Sequence, residues 1–112
     1  MGIIKPSKIT FADDNIENSF LELDDTDEIK KFIRRAIKDI KTNAFCGIQI
    51  PKKLMPKEYI KKYDLRNLWK YDLPNGWRLL YTITTPTKIE ILSIIIEWFN
   101  HKNYERKFKF IL

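Results

Sequence analysis

Lys70, Asp72 and Arg78 are the side chains best placed for chemistry in this 112-residue chain. They flank Pro74-Asn75-Gly76, and an Asn-Gly pair between two aromatic, β-favouring runs is the strongest short hairpin signal a sequence offers. Leu68 to Tyr81 therefore reads as one β-hairpin. With Asn75 and Gly76 as the central turn residues, Pro74 opposes Trp77 and the three charged residues gather near the turn. A one-residue slip would change which of them share a face. An arginine on such a platform suits an anion, because guanidinium offers two parallel donors to phosphate and keeps its proton. His101 is the only histidine in the chain, and an imidazole, with an ordinary pKa of about 6.5, can give or take a proton near neutrality. Tyr104 lies one helical turn further on, on the same helix face. Ser93 and Cys46 have no base partner and read as structural.

The charge is uneven. Residues 1 to 44 hold 8 Lys/Arg against 9 Asp/Glu, whereas residues 45 to 112 hold 13 against 6. A polyanion is the natural partner of that second half, approached faster and held less tightly as salt rises. The hydrophobic fraction of 44% fits one soluble domain with its own core. No apolar run reaches the roughly 18 to 20 residues of a membrane span, and the start lacks the pattern of a signal peptide. One cysteine forms no internal disulfide, so the expected setting is the reducing cytoplasm.

Several elements must position these residues. Lys8 to Ala12 alternates as a short strand, and Asp13 or Asp14 caps a brief helix carrying Ile16, Phe20 and Leu23. The acidic run Asp24 to Glu28 reads as a helix start and not as a metal site, with Asp25 and Glu28 at capping-box spacing. The helix it opens, about 27 to 42, puts Ile29, Ile33, Ala36, Ile37 and Ile40 on one stripe and Lys30, Lys31, Arg34, Lys38 and Lys41 on other faces. Residues 43 to 65 form a connector with Ile48-Gln49-Ile50 extended and Pro56 as first residue of a short helix to Tyr63. Lys52, Lys53, Lys57 and Lys61 decorate it, either as an RNA-phosphate-binding arm or as a solvated loop. Lys88 to Ile96 is the third strand of a meander, buried on both faces, and Asn100 caps a last helix, His101 to Lys109. The fold class expected is α+β, one domain over 1-112: a short N-terminal strand and two-helix hairpin packed on an antiparallel meander, with a short C-terminal helix.

This order of elements, with Leu68 to Leu73 running through a turn into Gly76-Trp77-Arg78-Leu79-Leu80-Tyr81 and closing on His101 to Tyr104, resembles the RelE/ParE superfamily of toxin-antitoxin toxins. The strongest local likeness is Gly76-x-Arg78-Leu79-x-Tyr81. The resemblance implies a RelE-like domain that cuts messenger RNA on the ribosome without a metal or other cofactor. Its implied partners are the messenger RNA, the ribosome and a cognate antitoxin protein, with no membrane and no small-molecule cofactor.

Such cleavage needs a base for the 2′-hydroxyl, an acid for the departing 5′-oxygen and cations for the transition-state charge. By the resemblance Arg78 meets that charge, and Lys70 aligns with the family's first catalytic-face lysine, which binds phosphate or supports the base. Tyr104 stands where the family places its C-terminal tyrosine, which acts on the proton transfer or stacks on a base, unless it is a core tyrosine, and His101 beside it matches the histidine of some superfamily ribonucleases. Two family cations are absent, with Asp72 and Trp98 in their places. Asp72 or Glu97 is then a candidate general base, as a glutamate is in some relatives; equally, Asp72 pairs with Arg78 or Lys70 and leaves no catalyst. A ParE-like member would instead bind gyrase, a decayed member would bind antitoxin or RNA without cleavage, and a basic RNA-binding module would share only the fold.

Overall fold

The computed structural model describes residues 5–108, in which four α-helices pack on a five-stranded mixed sheet of order β1-β5-β4-β3-β2. In chain order these are β1 (Lys8–Phe11), α1 (Asp14–Leu21), α2 (Glu28–Thr42), β2 (Ile48–Gln49), α3 (Lys57–Tyr63), β3 (Trp69–Asp72), β4 (Arg78–Thr84), β5 (Leu92–Phe99) and α4 (His101–Phe108). The α+β class stands. The meander is β3-β4-β5, antiparallel throughout, but the sheet is wider than expected because β1 pairs in parallel with β5 and β2 adds the opposite edge. The third meander strand also begins later than read, at Leu92 in place of Lys88. Ile89 is almost wholly exposed, so the apolar run is not one strand. Lys109, assigned to the last helix, lies outside the described residues. Among the described residues no helix is long and apolar enough to cross a membrane.

The sheet is covered on both faces, which explains the apolar character of its two central strands. Ile33, Ala36 and Ile40 of α2 pack on Leu79, Tyr81 and Ile95. On the other face Tyr59 of α3 and Tyr104 and Phe108 of α4 pack with Leu80, Ile96 and Phe99. Successive residues of β4 thus serve opposite faces, as strand geometry demands. The ladder between β4 and β5 shifts register at Leu80/Tyr81, where Leu80 pairs with Glu97 and Tyr81 with Ile95.

Both N-terminal helices start on aspartates. Asp13 accepts from the Ile16 N–H at 2.9 Å, as expected. The cap of α2 is Asp27, which accepts from the Ile29 N–H at 2.9 Å, and not Asp25. Asp24 folds the acidic run into a turn through Thr26 N–H and hydroxyl, which leaves Asp27 as the last residue before the helix. Asp25 is thereby free to accept from Lys30 at 2.9 Å and to lie 3.4 Å from Arg34. Lys30, read onto an outer face, is buried. Its ammonium also donates to the Leu23 carbonyl at 2.9 Å, so a basic side chain of α2 ties down the chain leaving α1.

The Lys30 hydrogen bond and charge, with Arg34, hold the Asp25 carboxyl below its ordinary value of 3.8. A carboxyl depressed in the folded state stabilises fully above its unfolded pKa and loses that contribution as pH falls through the folded one. Wild type is therefore expected to lose stability below about pH 4, and Asp25→Asn to lose less of it over the same range. Urea midpoints of the two proteins at neutral and acid pH check this.

Gly47 sets the approach of β2 to β3. The Tyr81 hydroxyl donates to the Ala44 carbonyl at 2.7 Å and accepts from the Gly47 N–H at 3.1 Å. A Cβ on Gly47 would lie 2.5 Å from the Lys70 carbonyl oxygen and 2.7 Å from the Tyr81 hydroxyl. Gly47→Ala must push β2 off the sheet edge, with an expected cost of about 1–3 kcal/mol read as a lowered denaturation midpoint.

Candidate functional site

The β3–β4 turn decides which charges meet. Asn75 and Gly76 take the left-handed backbone expected of an Asn-Gly turn, with φ of 62° and 80°. The ladder beyond them, however, is displaced by one residue from a simple two-residue hairpin. Pro74 has no N–H to donate, so the Leu73 N–H donates to the Trp77 carbonyl at 2.8 Å. Asp72 then pairs with Arg78, Tyr71 with Leu79 and Lys70 with Leu80. Lys70, Asp72 and Arg78 consequently project from one face. A single oxygen, Asp72 Oδ1, lies 2.9 Å from Arg78 Nε and 3.2 Å from Lys70 Nζ.

Tyr104 of α4 lies under both cations. Its ring centroid is 5.3 Å from the Arg78 guanidinium carbon and 5.9 Å from Lys70 Nζ, within cation–π range. Burial pushes the Tyr104 phenol up, against a smaller downward pull from Arg78, so Tyr104 stays neutral at physiological pH and offers a ring and not a base. Arg78 donates to the neighbouring Trp77 carbonyl at 3.2 Å through Nη1. Its Nε is buried and, despite the nearby carboxylate, makes no aligned hydrogen bond.

The first turn of α4 completes the group. Asn100 accepts from the Asn103 N–H at 2.9 Å and caps the helix as expected. The hairpin turn closes against His101: a Cβ added to Gly76 would stand 3.1 Å from the His101 Cβ. Nε2 of His101 pairs with the Glu105 carboxylate one turn along α4. Lys70, Arg78, His101, Tyr104 and Glu105 line a cleft of about 390 Å³. Ile48, Pro51 and Leu54 line it as well, and Ile48 and Leu54 are exposed. The cleft combines cationic and apolar lining.

Four of the sequence-derived candidates, Lys70, Arg78, His101 and Tyr104, line this cleft, and Asp72 is ion-paired with two of them. Glu97 does not join them. It sits on β5, cross-strand from Leu80, where the Tyr59 hydroxyl of α3 donates to it. Trp98 packs with the α2 side of the core. Lys52 and Lys53 lie in the 3-10 turn Lys52–Leu54 and do not line this cleft, although Pro51 and Leu54 on either side of them do. Lys53 and Lys57 line an adjoining depression with Glu58 and Lys107, while Lys61 is exposed in the last turn of α3. Ser93 is buried, 2.9 Å from the Ser7 hydroxyl, and is structural. Burial pushes the Cys46 thiol up, opposite to an activated nucleophile. Sequence reasoning missed Glu105 and the apolar lining of the cleft. The spacing of Glu105 from His101, four residues along a helix, was the available signal.

Comparison with known protein families, with characterised proteins and with solved structures finds no match to this chain.

Proposed function

We propose that the protein is a RelE-type endoribonuclease toxin that cleaves messenger RNA on the ribosome, silenced by a cognate antitoxin. The observation that supports this most is the meeting of Lys70, Arg78, His101 and Tyr104 in one cleft, from strands and a helix well separated in sequence. A phosphodiester drawn between Lys70 and Arg78 has its non-bridging oxygens neutralised. As the neighbouring 2′-oxygen attacks, the P–O2′ bond forms and the P–O5′ bond breaks, and the added negative charge is met by the same two cations. His101 is the acid–base group, exposed to the cleft and oriented by Glu105. Tyr104 holds both cations over its ring.

The assignment of Asp72 as general base is not retained, because its Oδ1 is already engaged by Lys70 and Arg78. Glu97 is likewise set aside because it lies outside the cleft. The pairing of Asp72 with both cations favours one second reading, a member that acts by binding gyrase or antitoxin without cutting RNA. Purified protein added to translating ribosomes separates the two. Ribonuclease action yields fragments with 2′,3′-cyclic phosphate and 5′-hydroxyl ends, whereas intact RNA together with inhibited gyrase supercoiling supports the second.

A further inference from the structure

We propose that Asp72 is the built-in occupant of the oxyanion site, holding in the free protein the place that a phosphodiester takes between Lys70 and Arg78. The inference rests on the phosphate-binding reading of the same cleft and assigns Asp72 a role as competitor, not catalyst. One carboxylate oxygen serves both cations, at 3.2 Å and 2.9 Å. The geometry is a consequence of the turn: without a donor on Pro74 the ladder shifts, and the shift brings Asp72 directly opposite Arg78.

The three partners differ in exposure. The Lys70 and Arg78 side chains are 21% and 18% exposed, whereas that of Asp72 is 48% exposed. The cations are thus fixed against Tyr104, and the carboxylate is the member that can turn to water at small cost. Its fit is also incomplete, since the buried Arg78 Nε gains charge neutralisation from Asp72 but no aligned hydrogen bond. A phosphate group presents several oxygens at wider separation than a carboxylate and can meet Lys70 and Arg78 with a different oxygen each. Asp72 therefore neutralises the site when it is empty and sets a threshold that a weakly charged anion does not pass.

The test uses ligands that cannot be cut: a 2′-O-methyl RNA trinucleotide and inorganic phosphate, titrated calorimetrically into the full chain. Asp72→Asn is expected to bind both about tenfold tighter than wild type, with a steeper fall in affinity as salt rises because the two cations, no longer neutralised by Asp72 in the free protein, release solution counterions on binding. Asp72→Thr, a β-branched replacement suited to a half-exposed strand position, should show the same gain and guards against a folding defect in the first variant. Glu90→Gln makes the same charge change at a carboxylate paired with Lys8 away from the cleft and should change affinity less than about twofold. Unchanged affinity in both Asp72 variants, or an equal gain in Glu90→Gln, overturns the proposal. Tighter binding without any RNA cleavage on ribosomes would keep this site and remove the ribonuclease reading. Cleavage with unchanged binding in both Asp72 variants would do the reverse.

Discussion

Arg78→Ala is expected to lower the rate of RNA cleavage about 10²- to 10³-fold, the usual cost of deleting one preorganised group that meets transition-state charge. Arg78 is fixed on three sides: its strand pairs with β3 at Asp72, its guanidinium lies over Tyr104, and Nη1 bonds the Trp77 carbonyl. It needs no rearrangement at the moment of reaction. Arg78→Lys keeps the charge but loses the planar fork, and its rate should fall between wild type and Arg78→Ala. Single-turnover kinetics on ribosome-bound RNA give the rates. Unaltered far-UV circular dichroism would show that the loss is not one of folding, a needed control because the Arg78 guanidinium lies over the Tyr104 ring.

His101→Ala carries the other large effect, an expected loss of about 10²- to 10⁴-fold, the contribution of one positioned acid–base group. His101 opens α4 beside the Gly76 turn, and its imidazole is exposed to the cleft. The site is exposed enough that this substitution should leave the denaturation midpoint within about 0.5 kcal/mol of wild type. Glu105→Gln removes the orienting carboxylate but leaves the imidazole, so its rate should fall less than that of His101→Ala. A larger loss in Glu105→Gln than in His101→Ala would make the carboxylate, and not the imidazole, the proton carrier.

The parts of the molecule legible in the sequence are those governed by local rules. The Asn75-Gly76 turn demands left-handed backbone and obtains it. The stripe of Ile33, Ala36 and Ile40 obeys helical period and forms the core under the sheet. Asn100 caps α4 because a short side chain there reaches the N–H three residues on. What was not legible depends on the chain meeting itself. The register of β3 against β4 turned on which residue next to Pro74 could donate a hydrogen bond, a competition that pattern alone does not resolve. The parallel pairing of β1 with β5 joins residues more than eighty positions apart, and no local signal encodes it. Helical period puts Lys30 off the apolar stripe, yet the carbonyl of Leu23 and the carboxylate of Asp25 draw its ammonium inward. The candidate site was legible in its residue types and not in its pairings: Glu97 belongs to Tyr59, and His101 to Glu105.

Primer extension on messenger RNA from translating ribosomes tests most directly whether this cleft cuts RNA. Wild type, Arg78→Ala and His101→Ala, purified and added at equal concentration, should give discrete cleavage stops with the first protein and almost none with the other two. The absence of stops with wild type, or stops of equal strength with all three proteins, would contradict the account.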